Sequence, residues 1–290
     1  MLILNNHSKM KHCLILIFSL LMFVSCGQKK QENNKPTLTV TIEPLRFFTE
    51  AIAGEHYNVV SMVPAGSNPE TYDPAPQQLV TLNKSVAYLR IGYIGFEQAW
   101  MERLQANAPD LPVFDTSKDV ELMEGHSHGD TPAVEPHIWN STRNARTIAD
   151  NIFRALCQLD ADHTDYYRER LNRLNHCIER TEQTIRALLP EVKSETFLIY
   201  HPALTYFARD YGLTQISIED DGKEPSPTHL QTLIRNCRRD KVKVIFVQQE
   251  FDTRNAQVIA REVGARIVPI NPLSYDWEQE MTHIIQALTE

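Results

Sequence analysis

Short apolar runs alternate with amphipathic segments along most of the chain. Apolar positions predict strands over residues 38–42 and 57–63, with a helix over residues 45–53 between them. A helix after Pro76, a strand around residues 86–91 and a helix over residues 95–105 continue the pattern. This alternation predicts a mostly parallel sheet flanked by helices.

A second α/β alternation begins at residue 196, after a different kind of segment. Residues 164–189 contain no Gly or Pro, and apolar residues recur there on one helical face: Tyr167, Leu171, Leu174, Ile178, Ile185 and Leu188. An ordinary long surface helix is the plain interpretation. We predict instead two α/β lobes, residues 37–160 and 191–290, linked by a single long backbone helix over residues 161–190.

The N-terminus has the pattern of an export signal. Lys9 and Lys11 precede an apolar run over residues 13–24, which as a helix spans about 18 Å. That length is short of the roughly 30 Å core of a bilayer, so we predict a signal peptide over residues 1–25. Its end, FVSCG at residues 23–27, resembles a bacterial lipobox, with Cys26 as the lipidated residue. Residues 26–36 form a polar tether, and the translation start is either Met1 or Met10.

Charge and cysteine content argue against three classes of protein. The chain carries 29 Lys and Arg against 37 Asp and Glu, a net charge of -8, which disfavours binding to nucleic acid. Of its five cysteines, Cys157, Cys177 and Cys237 follow Cys26 without a CxxC spacing. Neither a disulfide framework nor a cysteine zinc finger is indicated.

Three polar residues lie where a ligand site is expected. His201 ends a predicted strand, and ligands of open α/β sheets bind at the carboxyl ends of strands. Glu70 follows the second strand in GSNPETYDPAP, and His137 lies in EPHIWN. Imidazole nitrogens and carboxylate oxygens are good zinc donors. Alone, each residue is more typical of an ordinary structural or solvated side chain.

Three segments, GSNPETYDPAPQQL, EPHIWN and IYHPALTYFARDYGL, give the chain a family resemblance. It resembles the solute-binding receptors of zinc and manganese ABC importers from about residue 38 to the C-terminus. The resemblance implies two lobes joined by one long helix, and one metal in the cleft between them. His137 and His201 match ligand positions of that family, and Glu70 stands where the family usually has histidine. The fourth position falls on Asn271; water, Asp276 or an acidic residue of 219–221 are the alternatives.

The ligand set bears on the metal. Two imidazoles and a carboxylate favour zinc over manganese, although a carboxylate in place of a histidine keeps manganese as an alternative. His126 and His128 lie in GHSHGD, a short counterpart of the His-rich loop of zinc receptors in this family, or else two solvent-facing histidines without a role.

The sequence therefore predicts a monomeric, lipid-anchored receptor in the periplasm or cell envelope. It captures zinc in the cleft and delivers it to a cognate ABC permease, and it is not an enzyme. Two alternatives remain: a receptor for a metal chelate such as haem or a siderophore, and a zinc-dependent hydrolase that uses Glu250 as general base.

Overall fold

The first half of the described chain builds a parallel sheet covered by helices. This computed structural model describes residues 35–125, 133–220 and 222–290. The strand order is β2-β1-β3-β4, with all neighbours parallel. The strands are β1 (Thr37–Val40), β2 (Asn58–Ser61), β3 (Ala87–Arg90) and β4 (Val113–Asp115). The helices are α1 (Glu43–Ala53), α2 (Pro76–Asn83), α3 (Gly95–Asn107) and α4 (Thr142–Leu159).

The second half repeats the same topology. Its strands are parallel in the order β6-β5-β7-β8. They are β5 (Thr196–Ile199), β6 (Thr214–Ser217), β7 (Val244–Gln248) and β8 (Arg266–Ile270). Its helices are α6 (Thr205–Tyr211), α7 (Pro227–Arg239), α8 (Arg254–Val263) and α9 (Trp277–Thr289). In both sheets the chain order reverses beside the first strand, which is where such sheets bind ligands.

One long helix, α5 (Thr164–Leu188), connects the two halves. It packs against α1, α4 and α9, so it contacts helices of both lobes. Its buried face consists of Tyr167, Leu171, Leu174, Ile178, Thr181 and Ile185. Except for Thr181 these are residues that the periodicity predicts, and the predicted fold class is confirmed. One apolar core runs from the first sheet through α5 to one face of the second sheet, and a second, smaller core covers the other face of that sheet. Residues Pro36–Glu290 accordingly form one compact unit.

Several predictions fall on residues outside those that the structure describes. They are the signal peptide over residues 1–25, the lipidation of Cys26, and the roles of His126, His128 and Asp221. The lobe boundaries at residues 37, 160 and 191 also remain predictions. Among the described residues, the helices are too short or too polar to span a bilayer.

Candidate metal centre

Glu70, His137 and His201 line one small cavity between the lobes. Its volume is about 30 Å³. Glu70 lies in the loop after β2, His137 precedes α4, and His201 follows β5 by two residues. The cavity therefore sits at the carboxyl ends of strands in both sheets, where open α/β sheets bind their ligands.

The two histidines face each other through the same ring atom. His137 Nε2 and His201 Nε2 are 3.2 Å apart, and the ring planes meet at 71°. On the other side of each ring, Nδ1 contacts a carboxylate. His137 Nδ1 lies 2.5 Å from Glu135 Oε1, and His201 Nδ1 lies 2.8 Å from Glu219 Oε1. Both carboxylates are on buried residues.

This arrangement directs the Nε2 lone pairs of both histidines into the cavity. The carboxylate beside each Nδ1 accepts a hydrogen bond when that nitrogen carries the ring hydrogen. Nε2 is then the acceptor and metal-binding atom. Two such lone pairs 3.2 Å apart repel unless a proton or a cation lies between them. Burial lowers the pKa of His137, but the negative charges of Glu135, Glu70 and Glu219 outweigh it and raise the pKa overall. The cavity is therefore built to hold positive charge.

Glu70 is fixed by the beginning of α3. Gly95, the first residue of that helix, donates its backbone N–H to Glu70 Oε2 at 3.0 Å. Glu70 N in turn donates to Asn68 Oδ1 at 2.9 Å. Glu70 Oε1 is buried and has no hydrogen-bond partner among the described residues. An unpaired buried carboxylate oxygen is costly, and a bound cation would satisfy it.

The histidine loop is anchored to the second lobe. Trp139 donates its indole N–H to the carbonyl of Pro272, and Asn140 donates to the carbonyl of Ala203. On the opposite side, the Gln248 amide donates to the His201 carbonyl at 2.7 Å. The bonds of Trp139 and Asn140 tie the segment that carries His137 to the second lobe, and the Gln248 bond holds the backbone of His201 within that lobe, so one lobe positions both rings.

The candidates for a fourth ligand lie in different places. Asn271 is committed to a turn, in which its Oδ1 accepts the Leu273 N–H at 3.2 Å, and it lines a different pocket. Asp276 is exposed at the start of α9, and Asp220 pairs with Lys223 in an isolated bridge. Glu219 holds the ring of His201 from behind.

Two acidic residues lie at the site that the sequence did not predict there. Glu250 lines the cavity together with Glu70, whereas the sequence suggested it only as the base of a hydrolase. Glu135 supports His137 and was not singled out at all. The pKa of Glu135 is lowered: burial raises it, but the charge and hydrogen bonds of His137 outweigh this. The only signal for Glu135 was its position two residues before His137.

Comparison with known proteins places the chain in a family. The family model described as ZnuA, zinc-uptake complex component A, periplasmic, matches residues 38–290. The chain belongs to the ZnuA family. A crystal structure of ZnuA superposes with a TM-score of 0.83 at 34% identity, covering 88% of this chain and 98% of that chain.

Curated relatives of this ZnuA-family chain carry metal-binding names. A putative metal-binding protein of Treponema pallidum (strain Nichols) is 25% identical over 91% of this chain and 90% of the relative. The metal ABC transporter substrate-binding lipoprotein SloC of Streptococcus mutans is 24% identical over 89% of this chain and 88% of the relative. The zinc-binding lipoprotein AdcA of Streptococcus pneumoniae is 23% identical over 93% of this chain, which spans only 57% of AdcA.

Proposed function

We propose that this ZnuA-family protein is the extracytoplasmic receptor of an ABC importer and captures one zinc ion in the cleft. The ligands in this proposal are Glu70, His137 Nε2 and His201 Nε2. The observation that carries it is the pair of Nε2 atoms 3.2 Å apart, each held by a carboxylate on the far side of its ring. That is the hydrogen-bonding pattern of zinc-ligating histidines.

Charge balance supports a divalent cation. Zinc with one carboxylate and two neutral imidazoles leaves a net charge of +1 at the metal. Glu135 and Glu219 supply negative charge directly behind the two imidazoles, which compensates it without adding ligands. Water or Glu250 completes the coordination in this proposal, since Glu250 also lines the cavity.

Binding requires a small movement of Glu70. The donor atoms of Glu70, His137 and His201 do not all lie within 4.8 Å of one another. Among the described residues, only a different group, His56, Asp160 and His163, meets that distance. Donors of a zinc ion with bonds of about 2.0–2.2 Å lie closer than this. The histidine pair is therefore ready for the ion, and Glu70, on the other lobe, closes onto it.

Cavity size favours a bare ion over the two alternative ligands. About 30 Å³ holds an ion with one or two waters. Pockets for organic ligands usually have several hundred Å³, far more than this cavity offers. A haem or siderophore chelate is too large for it, so the size of the cavity supports capture of a bare ion.

Zinc is the favoured metal. At nitrogen and oxygen sites intrinsic affinity for zinc exceeds that for manganese, and two imidazoles strengthen the preference. Fold neighbours do not fix the metal: one is described as FpvC of Pseudomonas aeruginosa in complex with Mn2+, at 23% identity and a TM-score of 0.76. We propose that the protein is exported by residues 1–25, anchored by lipid on Cys26, and presents the ion as a monomer to its permease.

The test is a calorimetric titration of the chelator-stripped 290-residue chain with at most one zinc ion per chain. A competing chelator of known affinity in the same titration gives the zinc affinity. We expect one tight zinc ion and weaker binding of manganese. His201→Ala lowers zinc affinity at least tenfold, about 1.4 kcal/mol. Glu70→Ala lowers it as well, because Glu70 is the ligand that closes the site.

His176→Ala is the matched control. His176 is an exposed histidine in the middle of α5, and it does not line the cavity. Unchanged zinc affinity in His201→Ala contradicts the assignment of the ligands. Absence of tight binding of either metal by the wild-type chain contradicts the proposed function itself.

A further inference from the structure

We infer that the protein has a second divalent-cation site, formed by His56, Asp160 and His163. Each of these residues offers one ligand atom, and the three atoms lie within 4.8 Å of one another. The residues come from two places in the chain. His56 lies in the turn between α1 and β2, whereas Asp160 and His163 form the corner between α4 and α5.

The three side chains already meet without an ion. The ring centroids of His56 and His163 are 4.1 Å apart, and His163 Nδ1 lies 2.8 Å from Asp160 Oδ2. In a tetrahedral zinc site with bonds of about 2.0–2.1 Å, ligand atoms are roughly 3.4 Å apart. The three ligand atoms, which lie within 4.8 Å of one another, are therefore already close to the spacing that a bound ion requires.

The donor set fits a transition metal that keeps water ligands. Two imidazoles and one carboxylate suit zinc and its neighbours in the first transition row. The side chain of His163 is 47% exposed and that of Asp160 is 23% exposed. An ion can therefore enter from solvent, and water fills its remaining positions.

Aromatic residues of α5 hold the ligands in place. Tyr167 is fully buried and donates its hydroxyl to Asp160 Oδ2 at 2.7 Å. The ring of His56 packs edge-on against Tyr166, with centroids 4.5 Å apart. Such outer contacts orient metal ligands and raise affinity about 10–100-fold. Here they fix both the carboxylate and one imidazole before the ion arrives.

This site is distinct from the cleft. His56 precedes the amino end of β2, whereas the cleft lies at the carboxyl ends of the strands. An ion bound by His56 and His163 joins the α1–β2 turn to the residues that begin the linking helix. The inference does not depend on the proposed function, because no residue of the cleft takes part in it.

The test uses zinc alone and counts bound ions by equilibrium dialysis. The 290-residue chain carries His126→Ser and His128→Ser in every sample, so that the histidines of that segment do not contribute. We expect two zinc ions per chain, the second lost or bound at least tenfold more weakly in His56→Ala and in His163→Ala. Tyr167→Phe weakens the second ion about tenfold, because it removes the hydrogen bond to Asp160 while keeping the ring; the same change also removes the contact of this hydroxyl with Tyr57, which is not a ligand.

Two comparisons separate this site from others. His201→Ala weakens the cleft ion and leaves the second ion bound, and His176→Ala changes neither. Should His163→Ala unfold, Asp160→Asn, which keeps the shape of the side chain, gives the same loss of the second ion. The inference is overturned if His56→Ala, His163→Ala and Asp160→Asn all bind zinc as the chain with only His126→Ser and His128→Ser does. This holds whether or not the cleft binds zinc.

Discussion

Gly95 and Glu70 are in such close contact that residue 95 cannot carry a side chain without moving Glu70. A Cβ atom at Gly95 would lie 2.5 Å from Glu70 Oε2 and 2.8 Å from the Glu70 carbonyl oxygen. The Gly95 N–H is also the hydrogen-bond donor that holds this carboxylate. The glycine therefore determines where the first proposed ligand lies.

Gly95→Ala is expected to lower zinc affinity at least tenfold while the protein stays folded, because the added methyl group displaces Glu70 from the cavity. Chelator-competition calorimetry measures the affinity, and circular dichroism checks the fold. Ala99→Gly, at an exposed position of the same helix, is the control. It weakens α3 by roughly 1 kcal/mol without touching Glu70. Equal affinities of Gly95→Ala and wild type would mean that Glu70 is not a ligand.

Glu219→Gln and Glu135→Gln are each expected to weaken zinc binding about 10–100-fold. Glutamine retains the size of the side chain but removes the charge that orients and polarises the imidazole. Calorimetry at constant pH measures the loss, with Glu224→Gln as the control because Glu224 is an exposed carboxylate near Glu219 in the chain. If all three variants lose affinity equally, the effect is a general one of net charge and not of the histidine partners.

Zinc affinity is expected to fall as the pH falls. Burial lowers the pKa of His137, but Glu135, Glu70 and Glu219 raise it above its usual value overall, so the free protein takes up a proton on this imidazole at a higher pH than an ordinary histidine does. Zinc must displace that proton, and below the pKa of His137 affinity drops about tenfold per pH unit for each proton released. Calorimetry in buffers of different ionisation enthalpy counts the protons. Binding without proton release at any pH below 7 would contradict this account.

Glu97 links stability to pH. It is buried in the first turn of α3, and burial raises its pKa to about 7, against hydrogen bonds from Thr41, Ile91 and Gly92 that lower it. Between pH 4.5 and 7 the folded protein therefore binds more protons at Glu97 than the unfolded chain does. Over this window rising pH costs stability, up to about 3 kcal/mol from this residue.

The measurement for Glu97 is urea unfolding of wild type and Glu97→Gln at pH 5 and pH 8. The variant lacks the titrating group, so the stability of wild type relative to the variant is expected to be greater at pH 5 than at pH 8. A stability difference that does not change between these two pH values would show that Glu97 has an ordinary pKa.

The sequence predicted most of the fold because the relevant signals are local. The apolar stripe of α5 and the glycines after α1, α6 and α8 mark elements that the structure places within a few residues of the predictions. Strand β4 was missed because it has only three residues, none of them fully buried. Helix α9 was also not predicted from the sequence.

The candidate site was only partly predictable. Residue type and position after strands suggested Glu70 and His201, and the resemblance of EPHIWN suggested His137. The carboxylate behind His201 is 18 positions away in the sequence, and only the pairing of β5 with β6 brings Glu219 beside it. Asn271 matched a ligand position by resemblance, yet a turn with Leu273 occupies its oxygen. Such relationships depend on tertiary contacts that periodicity does not encode.

The most direct test of the central claim is anomalous diffraction at the zinc absorption edge from crystals of the chain loaded with one zinc ion. The account predicts one strong peak bonded to His137 Nε2, His201 Nε2 and a carboxylate oxygen of Glu70, with bonds of about 2.0–2.2 Å. A peak bonded to neither histidine of the pair would contradict it.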